Sequence, residues 1–153
     1  MGRQQVAEWL KGTGRDDLEI MEFPVSSATV ELAAKAAGVA PELIAKTIAC
    51  RTKDRDIIVV VSGTARLSNK KFKEHFGCKV KMLSTEEAKE ITGHAVGGVC
   101  PFGLKTPLPI YLDKSMEAYE YIYPAAGEPS NAIKIKISEF AGLTGGEWVD
   151  LTE

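Results

Sequence analysis

The chain of 153 residues predicts an α+β fold, a curled, mixed β-sheet surrounded by short helices. Three observations lead there. Apolar runs of strand length recur at hairpin-like spacing, short amphipathic helices fall between them, and the two do not alternate in the βαβ rhythm of a doubly wound sheet. The composition is that of a globular protein, 44% hydrophobic and 26% charged, and the length suits one domain over residues 1–153.

Met1–Lys11 reads as an amphipathic helix with Val6, Trp9 and Leu10 on one face, broken by Gly12-Thr13-Gly14. Leu18–Phe23 reads as the first strand. Ser26 and Ser27 precede a helix running through Ala37, with Val30, Ala33, Ala34 and Ala37 as its apolar stripe and Gly38 as its stop. Pro41 suits the first position of a short helical turn over Glu42–Ala45. Thr47–Arg51 and Ile57–Ser62 are apolar runs on either side of Lys53-Asp54-Arg55, which predicts a hairpin. Ser68 starts a basic helix that Phe76 and Gly77 close. Lys79–Leu83 alternates weakly as a strand, and Ser84-Thr85-Glu86-Glu87 matches a capping box for a helix ending near Gly93. Further strands are expected at Pro109–Leu112, Tyr119–Pro124, Ala132–Ile137 and Glu147–Leu151, with a helix at Ser138–Leu143 before the last.

No apolar run approaches the length of a bilayer span, and the N-terminus has no signal-peptide apolar region. Cys50, Cys78 and Cys100 cannot all pair and none lies in a C-x-x-C spacing, which favours a reducing, cytoplasmic setting. With only His75 and His94 beside them, neither a metal site nor a cofactor is expected. The net charge of −2 conceals an asymmetry. Residues 46–81 carry ten basic side chains against three acidic ones, a net of +7, which leaves −9 for the rest. Such a segment is either a phosphate-facing surface or a solvated helix face.

Residues 92–109 hold four glycines and three prolines between ordinary helix and strand patterns. A loop that is both stiffened and stripped of side chains suits close approach to a ligand, although one that wraps the core has the same composition. Cys100 lies within it, six residues after His94, so a thiol nucleophile with a nearby base is a candidate beside an inert, buried thiol. Lys46 is the other candidate. It stands among small and apolar neighbours and, on a strand, shares a face with Ile48 and Cys50, so that its ammonium either finds a function at the sheet rim or reaches solvent. The chain contains no Walker A sequence, no G-x-S-x-G elbow and no H-E-x-x-H, and its glycines do not follow a strand in a dinucleotide-binding arrangement.

Ala45-Lys46-Thr47-Ile48, followed by Gly93-His94-Ala95-Val96-Gly97-Gly98-Val99-Cys100-Pro101-Phe102-Gly103, resembles the YbaK / prolyl-tRNA synthetase-associated editing domain family. The likeness extends from about Glu19 to the C-terminus and includes Tyr121-Ile122-Tyr123-Pro124-Ala125-Ala126-Gly127. It implies a mixed sheet with surrounding helices and a pocket for the aminoacylated 3′ end of a tRNA. The implied activity is hydrolysis, in trans, of the ester of a mischarged, tRNA-Pro-like substrate. It further implies Lys46 as the pocket cation, Gly97 and Gly98 as backbone oxyanion donors, and a neighbouring ribose hydroxyl that helps activate water. Phe23, His94, Val99, Pro101, Phe102, Gly127 and Asn131 become substrate-binding candidates, and Lys70, Lys71 and Lys73 candidate phosphate contacts. The partner implied is tRNA, an aminoacyl-tRNA synthetase beside it being left open, with no membrane. Where cysteinyl-tRNA deacylases of the family carry a serine and an aspartate, this chain has Ala125 and Ala132. The preferred amino acid is thereby open among small residues such as alanine and cysteine. The alternative is a non-catalytic module that binds a tRNA end or a nucleotide.

Overall fold

The buried strand β3 (Asp56–Ser62) organises the molecule, because Ile57, Ile58, Val59, Val60 and Val61 are all inaccessible to solvent. A strand apolar at every position is stable only with both sheet faces covered. The computed structural model describes residues 2–15, 17–24, 29–95 and 97–153. In it β3 lies antiparallel to β2 (Ile44–Arg51), the expected hairpin, and parallel to β5 (Ile110–Asp113). Beyond β5 lies β9 (Glu147–Val149); beyond β2 lie β6 (Tyr121–Pro124) and then β8 (Ile135–Lys136). The short β4 (Lys81–Met82) also pairs with β2. A separate ribbon joins β1 (Ile20–Glu22) to β7 (Asn131–Ile133), and an Ala125–Ala132 bridge ties it to the end of β6. Parallel and antiparallel pairs thus mix in a curled sheet, as expected.

One face packs Ala45, Ala49, Ile58, Val60 and Leu112 under α1 (Arg3–Gly12), α4 (Thr85–Thr92) and α5 (Ile137–Thr144), which contribute Val6, Leu10, Ala88 and Phe140. The other packs Cys50, Ile57, Val59 and Val61 under Phe72 and Phe76 of α3 (Asn69–Phe76). The predicted N-caps hold: Ser68 accepts from the Lys71 N–H, and Ser84 and Glu87 form the full capping box.

The differences lie mostly at element ends. Ser26 and Ser27 fall outside the described residues, and α2 (Val30–Ala37) is capped by Thr29, whose side chain accepts from the Leu32 N–H. The turn expected over Glu42–Ala45 is a 3₁₀ turn at Pro41–Leu43, because Ile44 and Ala45 are claimed by β2 through their pairing with β6. The strand expected at Lys79–Leu83 contracts to two residues. Ala132–Ile137 divides at exposed Lys134, since β7 pairs with β1, β8 with β6, and Ile137 opens α5. A 3₁₀ turn at Lys114–Met116 went unpredicted; buried Asp113 caps it by accepting from the Ser115 N–H.

Candidate active site

β3 pairs with β2 from Ala45 to Arg51, but the opposite edge of β2 is only partly covered. β6 reaches Ile44 and Ala45, and β4 reaches Cys50 and Arg51. β6 ends at Pro124, which has no N–H with which to extend a ladder. Leu83 donates its N–H to the Ala49 carbonyl at 3.0 Å, so strand alternation turns the main-chain groups of Thr47 to the same edge, between the two partial partners. A cavity of about 420 Å³ opens at this gap, within the range of small-ligand sites. Its walls are small and apolar, including Ala45, Ala49, Ala88, Ala125 and Ala132, and Lys46 is the one charged side chain among its described lining residues.

Lys46 does share its face with Ile48 and Cys50. Its Nζ donates to the Ala65 carbonyl at 3.0 Å. Partial burial, and then the nearby Arg66, hold its pKa below the ordinary lysine value, while Glu31 opposes the shift. Next to it, the buried Thr47 hydroxyl has no hydrogen-bond partner among the described residues. On the opposite wall the Asn131 Oδ1 accepts from the Ala126 N–H at 3.1 Å and the Glu128 N–H at 3.3 Å. Those bonds fix the orientation of the amide and leave its buried Nδ2 without a partner among the described residues. Buried donors are nearly always satisfied, so unpaired polar atoms beside a cavity mark a place where a ligand can complete the bonding. Gly97, with φ 81°, also lines the cavity, and among the described residues nothing accepts from its N–H.

The structure brings Lys46, Gly97, Val99 and Asn131 to one cavity. It separates the other candidates from it. Gly98 is the clearest correction: its N–H donates to the Ala95 carbonyl at 2.9 Å and its own carbonyl accepts from the Gly127 N–H at 3.1 Å, so it is not available as an oxyanion donor. Gly127 is buried beneath this contact and packs against Gly2. His94, Pro101 and Phe102 are buried in the core, away from the cavity wall. Phe102 packs between Trp9 and Phe140 in tilted ring contacts, with centroids 5.5 Å and 6.2 Å away. Phe23 donates its N–H to the Ser130 carbonyl at 2.8 Å, beside Asn131 but not on the described cavity wall. Lys70, Lys71 and Lys73 stand on α3, which also contributes nothing to that wall. Lys71 is already engaged by Asp150 at 2.9 Å and the Thr152 carbonyl at 2.7 Å, while Lys70 and Lys73 are exposed.

Cys100 Sγ does meet His94 Nε2, at 3.6 Å, a proximity that their spacing in sequence did not establish. Burial pushes the thiol up to about 12, however, and lowers the His94 pKa. A thiol of that kind is almost wholly protonated near neutrality, and the pair lies outside the cavity. Sequence reasoning missed Leu83 and Ala88 as wall residues and took Val30 and Ala33 of α2 for core alone. Its one signal for Thr47 was that residue's place in the Lys-Thr pair.

The chain is similar to several known proteins. The profile of the aminoacyl-tRNA editing domain family matches residues 25–143. The uncharacterized protein YwhH of Bacillus subtilis (strain 168) is 41% identical over 135 residues, covering 87% of this chain and 86% of its own. A protein of Enterococcus faecalis (strain ATCC 700802 / V583) named "Putative Cys-tRNA(Pro)/Cys-tRNA(Cys) deacylase EbsC" is 29% identical over 126 residues, 81% of this chain and 77% of that one. A crystal structure described as "a putative trans-editing enzyme for prolyl tRNA synthetase" superposes with a TM-score of 0.92 at 33% identity, over 99% of this chain and 96% of the other. With more than two-thirds of its length within the matched profile, the chain belongs to the aminoacyl-tRNA editing domain family.

Proposed function

We propose that the protein is a freestanding trans-editing deacylase that hydrolyses the ester between a small amino acid and the terminal ribose of a mischarged, tRNA-Pro-like tRNA. One observation carries the reading: an alanine-lined cavity of about 420 Å³, charged only by Lys46 among its described lining, lies against the glycine-rich loop and within the family's matched segment. Its size and apolar walls suit a small side chain, and its rim suits the ester.

Among its described residues the wall holds no histidine, cysteine, aspartate or glutamate that could act as general base. The neighbouring ribose hydroxyl of the substrate therefore orients the attacking water and relays its proton toward the departing ribose oxygen. The water oxygen adds to the ester carbonyl carbon. The Gly97 N–H and the Lys46 ammonium stabilise the resulting oxyanion, the latter directly or by holding a terminal phosphate in place. The bond from carbonyl carbon to ribose oxygen then breaks, the ribose oxygen takes up a proton, and free amino acid and tRNA leave. An ester is labile enough for positioning and oxyanion stabilisation to suffice. The exposed Lys70 and Lys73 remain available to acceptor-stem phosphates, and the reaction is placed in the cytoplasm, where tRNAs are charged. Among the described residues no helix is long and apolar enough to cross a membrane.

The test is a panel of mischarged tRNAs offered to the purified protein, with release of the amino acid as readout. Multiple turnovers on at least one small-residue substrate are expected, and no hydrolysis across the panel would overturn the reading. The same panel judges a second reading, a non-catalytic module for a tRNA end. That reading draws on Ala125 and Ala132, which face each other across a bridge in the wall and leave two methyl groups there with no polar group to engage a substrate. Saturable binding without turnover would favour it. Cys100→Ser should retain activity to within about threefold, since a thiol with so high a pKa contributes no nucleophile. Abolished turnover in a folded Cys100→Ser protein would restore the thiol mechanism.

A further inference from the structure

The loop that carries Gly97 has both of its stems bound by one side chain. Gln5 of α1 donates through Nε2 to the Thr92 carbonyl at 3.0 Å and, through the same nitrogen, to the Gly103 carbonyl. The two acceptors are eleven residues apart in sequence, one at the C-terminal end of α4 and the other just beyond the loop's turn. An amide nitrogen has two hydrogens, so these bonds use its donor capacity in full.

The stems are built to admit this residue. A Cβ on Gly93 would lie 2.6 Å from Gln5 Oε1, and one on Gly103 would lie 2.7 Å from the Gln5 carbonyl. Both glycines have positive φ, 79° and 54°. The rest of α1 secures the clasp. Val6 and Leu10 are buried in the core, Trp9 packs on Phe102, and Arg3 pairs with Glu22. Gly2 meets Gly127 beneath the turn that Asn131 holds. All of α1 lies outside residues 25–143, the segment that the family profile matches.

We propose that Gln5 is a positioning residue: by closing the base of the loop over residues 93–103, it holds the Gly97 N–H at the cavity without touching substrate. The kinetic part of this proposal rests on the deacylase reading, whereas the structural part does not. A displaced donor weakens stabilisation of the transition state more than binding of the ground state, so the damage should fall on kcat and spare KM.

The experiment compares the full-length protein with Gln5→Met, which preserves length and packing but removes both donors. Hydrogen exchange followed by mass spectrometry should show the peptides over residues 93–103 exchanging about tenfold faster, with those of β2 and β3 unchanged, the scale of losing one or two hydrogen bonds. On the best mischarged tRNA, kcat should fall about tenfold while KM stays within about twofold. Unchanged exchange over 93–103, or an unchanged kcat in a folded variant, would overturn the proposal. A uniform drop in stability, with exchange raised everywhere, would also overturn it by making Gln5 merely structural. Should Gln5→Met not fold, Gln5→Asn, whose shorter amide reaches at most one stem, is judged by the same outcomes. Wild-type protein that hydrolyses nothing refutes the deacylase reading alone, because the exchange comparison still decides the role of the clasp.

Discussion

Lys46→Ala should lower kcat/KM for the best mischarged tRNA tenfold or more, the scale of losing one charge-assisted contact. Little of that loss should come from the fold, because among the described residues the ammonium makes one hydrogen bond, to the Ala65 carbonyl, and the side chain is only half-buried. A Tm close to wild type with a tenfold slower reaction is the expected pair of results. A rate within about twofold of wild type would remove Lys46 from the mechanism. The alkaline limb of the pH profile offers an independent check. Burial and Arg66 lower the Lys46 pKa, so the protonated form is lost at a pH below the usual lysine titration. Activity that needs the ammonium should decline on that early limb, once spontaneous ester hydrolysis has been subtracted, and Lys46→Ala should lack the limb. The sign for stability is opposite. The folded chain holds this proton less tightly than the unfolded chain, so the penalty for the buried charge relaxes as pH rises.

Gly98→Ala should produce the largest structural effect at the site. A Cβ there would lie 2.4 Å from the Glu128 nitrogen and 2.5 Å from the Gly127 carbonyl carbon, both main-chain atoms that no rotamer change can move. Either the turn over residues 97–99 or the opposing turn at 127–128 must shift. Overpacking of this kind costs about 1–3 kcal/mol, a fall in Tm of roughly 3–10 °C for a domain of this size. A shift of the 97–99 turn moves the Gly97 N–H, and turnover should then fall about tenfold beyond what stability accounts for. Gly142→Ala is the matching control. Nothing lies within 4 Å of its Cβ, and in the α5 interior alanine should be neutral or add up to about 1 kcal/mol. A Gly98→Ala protein as stable and active as Gly142→Ala would show that the close contact does not constrain the site.

Much of the fold was legible because its signals are local. Ser68 and Ser84 announce helix starts through side-chain acceptors three residues from their donors, and Gly77 ends α3 in the left-handed conformation. The run from Ile57 to Val61 announces a strand buried on both faces. Errors arose where a partner elsewhere in the chain decides the outcome. Ile44 and Ala45 read as the end of a helical turn until β6 pairs with them, and Lys134 divides what reads as one strand because its two halves answer to different neighbours. The site shows the same division. The placement of Lys46 follows from strand alternation, whereas Gly97 and Gly98 look equivalent in sequence. They differ in the fold because Ala95 and Gly127 take up the hydrogen-bonding groups of the second, which packs against the 127–128 main chain.

The sequence by itself determined most of the order of elements, the caps of α3 and α4, the face on which Lys46 stands and, through its motifs, the family. These depend on chemistry within a few residues or on side-chain periodicity. Tertiary structure alone decided that β2 is left open between β6 and β4, that Ala125 faces Ala132, and that Gln5 spans the stems of the glycine-rich loop. Each of those is a main-chain pairing or contact between distant segments. It is chosen by which partner reaches a donor or acceptor first in the packed molecule, and no local pattern encodes that competition.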